Sequence, residues 1–253
     1  MEISEYLKYR TKKLLGADII DILQIKNVQP IRYVLLFGEN SKMLPSFQKF
    51  ILRNDYLLDN PYDYQQGETK ILFERCYDDG DKYVQFPICC QNEQDVFRFL
   101  LDYERFEFEE TELEDFDDEN SHKVQSIDQF IRHMFLKTIH AEIDKYPTYY
   151  SLVGFYSTEV LFKHGFCEVK DIGKFRRYLN YKNMWINNVE DIKSVEGVAI
   201  CRIPVFFAKN MEDVSMTMAF KDQKEILNMV IDYEKYMFIC EREKMGIFVD
   251  SKQ

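Results

Sequence analysis

Glycine and proline are scarce in this 253-residue chain, nine and six in all, and alanine occurs five times. The glycines are too scattered to cradle a phosphate. Neither G-x-x-x-x-G-K-[ST] nor G-x-G-x-x-G occurs, and Gly38-Glu-Asn-Ser-Lys42 offers a single glycine. Long apolar runs are also missing. None approaches the ~18 residues that a membrane-spanning helix needs. The first residues, Met1-Glu-Ile-Ser-Glu5, are acidic where a secretory signal would be basic and then apolar. Histidine occurs four times, at 122, 133, 140 and 164. A zinc helix places two histidines at i and i+4 around a glutamate. His133 and His140 are two turns apart instead. The six cysteines (76, 89, 90, 167, 201 and 240) have no regular spacing. A chain with a large core has no need of a disulfide framework, so free, buried thiols in a cytoplasmic protein are expected.

What is abundant is aromatic and acidic. The hydrophobic fraction of 46%, with 15% aromatic, is ample for a core and disfavours disorder. Net charge is −11. Between Asp102 and Glu119 stand eleven acids and one base, and the rest of the chain holds 33 acids and 32 bases. The acidity is therefore local. It reads as a like-charged segment that repels itself and stays extended, or as an arm for a basic partner. Phosphate attraction needs clustered Lys and Arg, so nucleic acid is disfavoured. Lys8–Lys13 (KYRTKK) and Lys174–Lys182 (KFRRYLNYK) are the basic clusters; the second fits a solvated helix face, and the basic helices could equally be what the acidic linker folds onto. Arg176 and Arg177 would be the residues of a single-strand binder.

The chain also resembles itself. Asp95–Phe108 (DVFRFLLDYERFEF) aligns with Glu225–Phe238 (EILNMVIDYEKYMF), and Asp-Tyr-Glu recurs at Asp102–Glu104 and Asp232–Glu234. In the same order, Ile3–Lys8 aligns with Ile127–Arg132, Pro30–Leu35 with Pro147–Leu152, and Phe47–Ile51 with Phe175–Leu179. An internal repeat sets architecture before any motif does. The main insertion falls near Phe162–Ile172. The expectation is an α+β fold of two tandem repeats, each a small, mostly antiparallel sheet with helices packed on one face. The boundaries are 1–109, an acidic linker over 110–125, and 126–253.

Periodicity predicts helices over Ser4–Lys26, Ser46–Leu58, Glu93–Glu104, Lys174–Ile186 and Gln223–Lys235. A capping box at Ser126–Gln129 opens another, and Pro30 and Pro147 close the helices before them. Strands are expected over Ile31–Phe37, Lys70–Tyr77, Lys82–Cys90, Tyr149–Phe155, Ala199–Phe207 and Val214–Phe220, with a last hairpin from Tyr236–Cys240 and Gly246–Val249. The turn Asp78–Asp81 would join the second and third of these strands.

No catalytic constellation, metal set or cofactor motif is recognised. Asp102/Glu104 and Asp232/Glu234 read as a helix end around a packed tyrosine. Cys167 beside His164 is the best local Cys/His pair. The expected function is a non-catalytic interaction or inhibitor protein, immunity-like, presenting an acidic, aromatic-rich surface to a basic protein partner. Its contact residues would be Glu109, Glu110, Glu112, Glu114, Asp115, Asp117 and Asp118. The alternative is an enzyme or small-ligand sensor with a pocket between the repeats, using residues of one copy only: His133, His140, His164 and Cys167.

Overall fold

A computed structural model describes residues 4–21, 31–60, 63–65, 69–72, 83–114, 127–143, 148–150, 154–163, 167–187, 191, 197–201 and 213–244. The chain is α+β and divides into two compact units, Met1–Ser121 and His122–Gln253.

The first unit runs α1 (Glu5–Leu15), β1 (Asp18–Asp21), β2 (Ile31–Gly38), α2 (Leu44–Arg53), β3 (Leu57–Leu58), β4 (Lys70–Leu72), β5 (Tyr83–Cys89) and α3 (Glu93–Glu114). Its sheet has the order β1-β2-β5-β4-β3. The first four strands of that order are antiparallel to their neighbours, and β3 lies parallel to β4. The sheet is therefore mixed. Side chains alternate across β2, so Tyr33, Leu35 and Phe37 share one face. Phe37 meets Phe47 of α2 at 4.9 Å between ring centroids and Phe86 of β5 at 5.4 Å. Phe50 of α2 reaches Phe99 and Tyr103 of α3 at 5.5 and 5.3 Å. Tilted and edge-on rings of this kind add to the burial term that holds helices on a sheet.

The second unit runs α4 (Ile127–Ile139), β6 (Glu142–Ile143), β7 (Thr148–Tyr150), β8 (Phe155–Lys163), α5 (Val169–Tyr181), β9 (Trp185–Ile186), β10 (Ala199–Cys201), β11 (Asp213–Phe220) and α6 (Gln223–Lys244). Its sheet has the order β6-β8-β11-β10-β9, with β7 also paired to β8. Again the short last strand, β9, is parallel to its neighbour. Phe162 of β8 meets Phe175 of α5 at 5.8 Å, and Phe175 meets Tyr233 of α6 at 5.5 Å.

Several sequence expectations are corrected. The first helix ends at Leu15 because Gly16 adopts φ 62°, and its amide caps Lys12 O at 3.0 Å. Residues 18–21 then pair with β2 instead of continuing the helix. α4 ends the same way at His140, φ 59°. Pro30 and Pro147 lie outside the described residues, beyond both helix ends, so they close neither helix. Ser126 and the turn at Asp78–Asp81 are outside them as well. Where one strand was expected over Tyr149–Phe155, two are found, turned at Gly154 with φ 74°. α2 and α5 stop at Arg53 and Tyr181, and Leu57–Leu58 and Trp185–Ile186 are strands. α3 continues to Glu114, so the first acids of the expected linker are helical. α6 continues to Lys244, which makes Tyr236–Cys240 helical. The spacing Ile226, Val230, Tyr233, Met237, Cys240 carries the 3.6-residue period through that stretch.

Candidate functional site

The predicted contact acids fall in two groups. Glu109, Glu110, Glu112 and Glu114 lie on α3, while Asp115, Asp117 and Asp118 are outside the described residues. Glu110 bridges Lys49 and Arg53 of α2, which holds its carboxyl below the usual range; the hydrogen bond from Lys49 is the largest cause. Glu109 accepts from Arg105 at 2.8 Å, and Glu107 accepts from Ser46. Within α3, then, Glu107, Glu109 and Glu110 already have cationic or hydroxyl partners. α3 has no basic residue in its last turn, whereas α6 ends with Arg242 and Lys244.

The residues confined to one copy are partly brought together. His140 Nδ1 stands 3.4 Å from Asp171 Oδ2, and Lys174 Nζ is 3.3 Å from Asp171 Oδ1. Burial raises the Asp171 carboxyl. The Glu168 amide, His140 and Lys174 outweigh it, and the net direction is down. Cys167 is close by in the chain. Its thiol is pushed up by burial and by Asp171, the wrong direction for a nucleophile. Burial likewise lifts Cys89 to about 11 and Cys90 to about 12. His133 is exposed on α4, and His164 lies outside the described residues. Arg177 is exposed on α5 and Arg176 is partly so. Arg10, in the first basic cluster, is buried and donates to Glu104 at 2.7 Å.

Asp-Tyr-Glu serves packing. Tyr103 and Tyr233 are buried in their respective cores. Asp102 accepts from Tyr56 at 2.7 Å, and Asp232 accepts from Tyr178 at 2.9 Å and from Lys182.

Sequence reasoning missed a cleft in the second unit, with a volume of about 500 Å³. α4 supplies Ile131 and Arg132, β6 supplies Ile143, and β8 supplies Tyr156 and Thr158. Phe220 ends β11, and Lys221, Asp222, Gln223 and Ile226 follow it into α6. Tyr156 packs between Tyr149 and Phe220, at 4.8 and 5.7 Å, making an aromatic wall. Thr158 is 6% exposed, and its hydroxyl has no hydrogen-bond partner. The first turn of α6 is closed internally. Asp222 Oδ1 accepts from the Lys224 and Glu225 amides at 2.8 and 3.1 Å, and Glu225 Oε2 accepts from Lys221 N at 2.6 Å. Lys221 Nζ rests 5.4 Å from the Phe155 ring centre. Nothing in a local motif announces this site, because its walls come from five segments of the chain. Compared with known proteins, the sequence matches no family model, no curated protein and no solved structure.

Proposed function

We propose that the two units are copies of one α+β unit, and that the protein is a non-catalytic interaction or inhibitor protein whose acidic α3 end engages a basic protein partner. Support for the first part lies in matched details. The sheet orders correspond strand for strand, β7 aside. Gly16 and His140 both turn into an edge strand at φ near 60°, and Asp55 and Asn183 share φ 54° and 53°. The Ile71 amide donates to Tyr56 O, and the Ile200 amide to Met184 O, each at 2.7 Å. The helix caps agree: Asn92 with Asp95 opens α3 as Asp222 with Glu225 opens α6. On this proposal Tyr33 corresponds to Thr158, a different pairing from that of Pro30–Leu35 with Pro147–Leu152.

One observation carries the second part. Carboxylates crowd the C-terminal half of α3, where the helix dipole already presents negative charge. Beyond the paired Glu107, Glu109 and Glu110, a carboxylate in the last turn costs a few tenths of a kcal/mol or more, and its neighbours add repulsion. The equivalent end of α6 is basic. A cationic partner would relieve that cost on docking, and would be steered toward it.

The test replaces Glu109, Glu110, Glu112, Glu114, Asp115, Asp117 and Asp118 with their amides. Affinity for partners recovered on the wild-type chain should fall at least about tenfold at low salt, and its salt dependence should flatten, with circular dichroism unchanged. Unaltered affinity and slope for every recovered partner would refute the reading.

A further inference from the structure

We infer that the cleft of the second unit binds a small, uncharged aromatic compound, a phenol fitting best, whose ring takes the place that Tyr33 fills in the first unit. The ring-for-ring part rests on the reading of the two units as copies. The cleft itself belongs to the second unit alone, and its volume, about 500 Å³, lies in the range of small-molecule sites. Such a ligand would lie against Ile131, Ile143 and Ile226 and stack on Tyr156.

The first unit supplies the shape. The helix caps equate Asn92 with Asp222 and Asp95 with Glu225, so Cys90 matches Phe220 and Glu93 matches Gln223. Tyr33 matches Thr158. Tyr33 is 4% exposed, and burial, Glu93 and Cys90 push its hydroxyl up to about 12, which sets the phenol beside both residues. Their counterparts, Gln223 and Phe220, line the cleft, as does Thr158. The second unit is thus one phenol ring short at this place. Phe220 does not make up the loss. It stacks on Tyr156, 19° from parallel at 5.7 Å, and so walls the space instead of filling it. Apolar space left by an absent side chain takes up an apolar molecule of matching shape, because the lining there lacks partner atoms.

The rim decides against a charged ligand, because its charges are already engaged. Arg132 has a partner within the protein. Lys221 Nζ rests 5.4 Å from the Phe155 ring centre. Phe155 and Tyr156 are neighbours on β8 and point to opposite faces, so that ammonium is drawn away from the aromatic wall. Asp222 accepts from two helix amides. A charged ligand would lose its hydration here without gaining an unengaged counter-ion, and an uncharged ring avoids that cost. Stacking on Tyr156 in an offset or tilted geometry adds to the contact.

The full chain, ¹⁵N-labelled, is titrated with p-cresol, which is the tyrosine side chain cut at its Cβ, and with 4-methylbenzoate, 4-methylbenzamidinium and 4-methylcyclohexanol. p-Cresol should give saturable shifts at the amides of Thr158, Gln223 and Ile226, and bind at least about fivefold more tightly than each of the others. Lys221→Gln should change that affinity by less than about twofold, and Tyr156→Ala should weaken it at least about fivefold. Thr158→Tyr should fold and no longer bind, because its own ring fills the space. No saturable shift at millimolar p-cresol, shifts confined to other residues, or equal binding of a charged or saturated analogue would overturn the site. If p-cresol binds the wild type as expected but Thr158→Tyr binds it equally or fails to fold, the ring-for-ring assignment falls, and with it the pairing of Tyr33 with Thr158.

Discussion

Arg10 and Glu104 form an ion pair with side chains only 2% and 7% exposed. Taking two charges out of water is costly, and their attraction offsets that cost only while both remain. Glu104→Ala should therefore destabilise by about 3–5 kcal/mol, whereas Arg10→Met with Glu104→Leu should restore most of the loss. Urea unfolding of the single and double variants checks this. Asp102 behaves differently. Desolvation raises its carboxyl despite the opposing Tyr56 hydrogen bond and Arg105. A raised acid binds its proton more tightly in the folded state. Its contribution is thus complete below the unfolded pKa of ~3.9 and is lost as pH rises through the folded value. Asp102→Asn should remove that decline, so the variant gains on the wild type as pH rises above ~4. Solvent at the edge of Asp102 keeps the gain small. Urea midpoints across that window would show it, and a wild-type midpoint that rose no less steeply than expected from the other acids would contradict it. At this scale sequence was a poor guide. KYRTKK reads only as a basic cluster, and it takes the fold to reveal that Arg10 turns inward. Likewise Thr158 becomes notable only when its hydroxyl proves to be buried and unpartnered.

Among the elements, the strongest apolar periods were legible: β2, β5, β11 and the starts of α3 and α6 follow directly from alternation or helical spacing. Edge strands were not. β1 and β6 are short and continue the apolar pattern of the preceding helix, so only backbone geometry at Gly16 and His140 separates them. Gly16→Ala forces a side chain into φ 62° and should cost about 1 kcal/mol. A clash is not the cause, since the nearest atom to an added Cβ, Met43 Cγ, lies at an ordinary van der Waals distance of 3.8 Å. The cap at Asp222 holds two amides of α6, and Asp222→Ala should cost about 1 kcal/mol by thermal or urea unfolding. The cleft was illegible for a related reason. Its lining is assembled by register, β8 against β11 and β6 against β8, and register is not written in any one segment.

For the whole molecule, the net charge of −11 is concentrated enough that salt should act on stability. Screening shortens to ~8 Å at physiological ionic strength and further above it, which weakens repulsion among the α3 acids. The melting temperature should rise over about one decade of salt, from roughly 0.05 to roughly 0.5 M NaCl, and the seven-amide variant should rise much less. A fall in the wild type would mean that the Lys49–Glu110–Arg53 bridge outweighs the repulsion. The α+β class and the concentration of charge were plain from composition and pattern. The mixed character of the sheets was not, because parallel β3 and β9 are two residues each. The adjacent cysteines at the end of β5 have a use that follows from their burial. A thiol reagent reaches Cys89 and Cys90 only when the first sheet opens. Their labelling rate, read by peptide mapping apart from that of the part-exposed Cys167 and Cys240, is thus a built-in stopwatch for that event.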